Sequence, residues 1–80
     1  MSLKADILAY LDLVHASDVT SVYEYLRSVD GSIVLETVVS AMQILHMNGV
    51  LARSYIQPEY RVHSDEFCYW LPEYYRGNPE

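Results

Sequence analysis

Apolar residues recur along the first two thirds of the chain at the three-and-four spacing of helices that bury one face. Leu3, Ile7, Leu11 and Val14 form the first stripe, widened by Leu8, Tyr10 and Leu13, and predict a helix over 3–15. Val19, Val22, Leu26 and Val29 form a second stripe. Ser17 is placed to cap that helix, with the carboxylate of Asp18 in its first turn, where it complements the helix dipole. Asp30-Gly31 breaks the pattern as a turn, because glycine takes positive φ at little cost, and Ser32 is placed to cap a third helix over 33–48. Leu35, Val38, Met42 and Leu45 are its expected buried face, and Asn48-Gly49 its stop.

Beyond Gly49 the helical spacing gives way to β-branched and aromatic residues over 50–56 and 67–71, which read as short antiparallel strands. Gln57-Pro58-Glu59 and His63-Ser64-Asp65-Glu66 are candidate turns. Pro58 cannot donate to a ladder and belongs at an edge, a bulge or a hairpin tip. The expected fold is α+β, with three helices followed by a two- or three-stranded antiparallel hairpin. One domain is expected over 1–72, with a polar, frayed tail over 73–80.

Eighty residues, about half of them apolar, place the chain near the size at which one core buries only about 60% of the surface exposed by the unfolded chain. Dimerisation would add to so small a core. Five lysines and arginines face eleven carboxylates, giving a net charge of −6. A polyanion is repelled at long range by such a chain unless its few cations cluster.

Chemistry is sparse. Cys68 is the lone cysteine and reads as a small hydrophobe, and His15, His46 and His63 have no metal-ligand spacing. No metal or cofactor is expected. Without a nucleophile elbow or a phosphate-cradling glycine loop, the chain does not read as an enzyme. No apolar run reaches the roughly 18 to 20 residues of a membrane span, and a cytoplasmic, non-membrane protein is the expectation.

Helix, helix-turn-helix and hairpin together resemble the winged-helix family of small bacterial and phage transcriptional regulators. Val38 to Leu51, VVSAMQILHMNGVL, is similar to that family's recognition helix and first wing strand, and Phe67-Cys68-Tyr69-Trp70-Leu71 to the returning strand. The resemblance implies binding to double-stranded DNA, with helix 33–48 in the major groove. Thr37, Ser40 and Gln43 would then contact bases, and Arg27, Arg53 and Arg61 phosphate. Gln43-Ile44 stands where many relatives carry paired basic residues. The alternative is an acidic interaction module of the same fold that does not bind DNA. It would contact a second copy or another protein through Val39, Ile44, Met47, Tyr74 and Tyr75.

Overall fold

The computed structural model describes residues 2–74, apart from the Tyr74 side chain; Tyr75 and 76–80, which carry part of the expected tail and interface, lie outside the described residues. It contains three helices and a three-stranded antiparallel sheet in the order α1 (Leu3–Val14), β1 (Ala16–Asp18), α2 (Val19–Val29), α3 (Leu35–Met47), β2 (Ala52–Tyr55) and β3 (Phe67–Trp70).

The first helix starts where Ser2 Oγ accepts the Ala5 N–H at 3.1 Å. It stops at His15, whose φ of 77° is rare for a residue with a Cβ and turns the chain sharply out of the helical path. The next three residues form a strand that the periodicity did not indicate. Ser17 lies in this strand opposite Tyr69, buried, with its hydroxyl donating to the Asp18 carbonyl at 3.0 Å. It therefore cannot cap α2. Asp18 takes that role instead, its carboxylate accepting the Ser21 N–H at 3.0 Å.

A similar displacement occurs before α3. The Asp30 carboxylate accepts both the backbone N–H of Ser32, at 3.0 Å, and its hydroxyl, at 2.7 Å. With its side chain held in that turn, Ser32 caps nothing, and α3 begins two residues later than expected, after Val34, with no side-chain cap. At the other end Gly49 adopts φ 79°, and the N–H groups of Val50 and Leu51 both return to the Leu45 carbonyl, at 2.9 and 3.2 Å.

Strand order is β1-β3-β2. Ala16, Trp70 and Ala52 share one register, Ser17, Tyr69 and Arg53 the next, and Asp18, Cys68 and Ser54 the third. The expected third strand thus comes from between the first two helices, not from the hairpin. Pro58 sits in a 3-10 turn, Pro58–Tyr60, within the connection from β2 to β3, and a second 3-10 turn, Pro72–Tyr74, follows β3.

Ile7 and Leu11 of α1, Val22 and Leu26 of α2, and Val38, Met42 and Leu45 of α3 meet Leu51 and Tyr69 in one core. Each large aliphatic fully buried there contributes about 1.5–3 kcal/mol. The expected stripes run past this core. Val14, Val29 and Leu35, together with Leu13, are exposed: they lie in the last turns of α1 and α2 and at the first residue of α3.

Candidate functional site

At about 100° per residue, the buried Val38, Met42 and Leu45 fix one side of α3 and leave Glu36, Thr37, Ser40, Gln43, Ile44 and Met47 on the other. All six are exposed. This stripe runs the length of the helix and contains one carboxylate, no cation and two large apolar groups, with Ile44 55% and Met47 80% exposed. Thr37, Ser40 and Gln43 are thus presented to solvent together. Val39 is half-buried and packs against the core, so it belongs to the edge of this face.

The hairpin cations are engaged by neighbouring side chains and backbone. Arg53 lies on β2 opposite Tyr69, with its guanidinium 4.1 Å from the centre of the Phe67 ring and Nη1 donating to the Tyr69 hydroxyl at 3.2 Å. Arg61, just after the 3-10 turn, donates from Nε to the Ile56 carbonyl at 2.9 Å and sits 4.9 Å from the centre of the Tyr55 ring. Its Nη2 is buried without an acceptor among the described residues. Facing a ring within about 6 Å, each guanidinium gains about 0.5–1 kcal/mol, more where it is desolvated. Arg27 is different: it is exposed in the last turn of α2, where a cation complements the helix dipole.

Aromatic contacts extend this set within the hairpin, and His46 links it to α3. Tyr55 meets Phe67 edge-on at 6.3 Å, and Tyr69 meets His46 edge-on at 6.4 Å. His46 Nδ1 lies 3.1 Å from the Leu51 carbonyl; since a carbonyl only accepts, Nδ1 carries the proton.

Sequence reasoning missed Asp65. Its carboxylate accepts the Thr20 N–H, while that of Asp18 accepts the neighbouring Ser21 N–H. A helix N-terminus with free N–H groups is a natural phosphate site. At α2 two carboxylates already occupy that position. No local pattern could have identified Asp65, since it lies 45 residues from Thr20.

Cys68 is half-buried, and its thiol is pushed above its ordinary value of 9.0, chiefly by burial and then by the charge of Asp18. It is the opposite of an activated nucleophile. Among the described residues no group of three or more histidines, cysteines or carboxylates is placed to hold a metal ion, and no helix is long and apolar enough to cross a membrane.

Compared with protein-family models, with curated proteins and with solved structures, the chain matches none.

Proposed function

We propose that the chain is a winged-helix module whose exposed α3 face and adjoining hairpin engage a protein partner rather than the DNA backbone. The succession α1, β1, α2, α3, β2, β3 and the sheet order β1-β3-β2 support the winged-helix reading, with the hairpin as the wing. One observation carries the choice of partner. Arg53 and Arg61, the two cations best placed in sequence to grip phosphate, are held against aromatic rings, beside a third helix that exposes Ile44 and Met47 and no cation.

Magnitudes favour the same side. Non-specific DNA affinity comes almost wholly from lysine and arginine on phosphate. Freeing each arginine here forfeits its ring contact and its hydrogen bond, against a net charge of −6 that opposes the approach of a polyanion. Exposed apolar groups gathered on one helix face instead mark a contact surface.

A labelled random-sequence duplex, titrated by fluorescence anisotropy at about 50 mM and about 200 mM salt, tests the reading. No binding at either salt is expected. An Ile44→Glu variant should fold normally, since the side chain is already exposed, and should lose a partner crosslinked to the wild-type chain; a partner retained by that variant would remove α3 as the contact face.

The shared exposure of Thr37, Ser40 and Gln43 favours a second reading, a DNA-binding regulator that places α3 in the major groove. It requires micromolar duplex binding that collapses at the higher salt. It also requires that Gln43→Ala lose discrimination at one base pair while Arg27→Ala weakens all sequences alike.

A further inference from the structure

On α1, Asp6, Tyr10 and Leu13 share one face, at spacings of four and three; on α2, Tyr25 and Val29 do the same. These two faces border one hollow of about 200 Å³. The Tyr10 and Tyr25 rings, both in its lining, stack on each other at 4.5 Å between centres and 21° between planes, joining the two helices. Leu13 and Val29 also line it, each 72% exposed. Past Asp6 and Asp30 the hollow meets a second, of about 300 Å³, which reaches the start of α3 at Val34 and Thr37 and shares both carboxylates with the first. The first hollow is a shallow trough, apolar at Leu13, Tyr25 and Val29, with Asp6 and Asp30 at the border it shares with the second.

No cationic side chain among the described residues bonds to either Asp6 or Asp30. The Asp30 carboxyl is held below its ordinary value by the two hydrogen bonds from Ser32, so it stays charged at neutral pH. A second copy of this chain would bring the same carboxylates and another net charge of −6 against this trough. Like charges in apposition cost stability, and opposite charges select a partner. An apolar surface between two helices can take an amphipathic helix by its apolar face.

We propose that the α1–α2 trough binds a cationic amphipathic helix of a partner protein. Its apolar side chains would lie on Tyr10, Leu13, Tyr25 and Val29, and a lysine or arginine would sit against Asp6 and Asp30. This surface is separate from Ile44 and Met47 on α3, so the proposal stands or falls independently of the partner assigned to that face.

The test uses the full chain and two labelled synthetic peptides with one leucine pattern at helical spacing, one bearing lysines and the other glutamates on the polar face. The lysine peptide should bind and shift the amide resonances of residues 6–13 and 25–33. Val29→Arg should weaken it at least tenfold, as should the Asp6→Asn/Asp30→Asn pair, while Glu59→Gln and Ile44→Glu should leave it within twofold. Four results would overturn the proposal: no binding; equal binding of the glutamate peptide; equal weakening by Glu59→Gln, which would mean attraction to net charge alone; or wild-type self-association by sedimentation that Val29→Arg abolishes, which would mean that a second copy occupies the trough.

Discussion

The backbone N–H of Thr20 donates to the carboxylate of Asp65, so the long connection between β2 and β3 is fastened to the N-terminus of α2. With Asp18 on the adjacent N–H, the helix has two carboxylates at its positive end. Asp65→Ala leaves a part-buried donor unpaired and should lower stability by about 1–2 kcal/mol in urea denaturation. Asp65→Asn keeps an acceptor there and should recover most of that loss. An Ala variant as stable as the parent would mean that the contact contributes nothing.

Arg53 joins the strands of the hairpin through Phe67 and Tyr69. Arg53→Ala should cost about 1–2 kcal/mol, the sum of one cation–π contact and one hydrogen bond. Arg53→Lys should not restore it, because a point ammonium cannot both cover the Phe67 ring and reach the Tyr69 hydroxyl. The readout is the denaturation midpoint at constant slope, and full rescue by lysine would show that charge alone matters.

Two methionines of α3 should behave oppositely. Met42 is fully buried, and Met42→Ala removes core packing worth about 2–5 kcal/mol. Met47 is 80% exposed, and Met47→Ala should stay within about 0.5 kcal/mol of the parent. Comparable losses at both positions would contradict the placement of the helix.

Asp30 should titrate below its ordinary value of 3.8, followed by NMR of its side-chain carboxyl, and Ser32→Ala should bring it back toward that value. A carboxyl depressed in the folded state adds stability above its unfolded value and loses it as pH falls through the folded one. The Asp30–Ser32 turn should therefore loosen only below about pH 3.8 and be unaffected between pH 5 and 8. A titration at or above the ordinary value would show that the Ser32 bonds do not hold in solution.

The three helices were legible because Ile7, Leu11, Val22, Leu26, Val38, Met42 and Leu45 recur at helical spacing, a signal local enough to read without a partner. Gly49 marked the end of α3 for the same reason. β1 was not legible: Ala-Ser-Asp has no β-branched or aromatic residue, and its extended state comes from pairing with β3. The two caps were misplaced by one step of context. Ser17 was drawn into the sheet and Ser32 into the Asp30 turn, which left Asp18 and Val34 to begin the helices. At the candidate site, the exposed residues of α3 followed from helical geometry. The surroundings of Arg53 and Arg61 did not, since they depend on the register that sets Arg53 opposite Tyr69 and on the fold of the connection carrying Arg61.

β3 lies between β1 and β2, which touch it but not each other. During synthesis this gives the last strand a special place. While the connection that carries Pro58 is still being made, Ala16–Asp18 and Ala52–Tyr55 have no partner strand. Both remain unpaired until Phe67–Trp70 is available, since β3 supplies the partner of each. A chain cut short before Phe67 would keep two strands without a partner, and such unpaired edges expose a chain to aggregation.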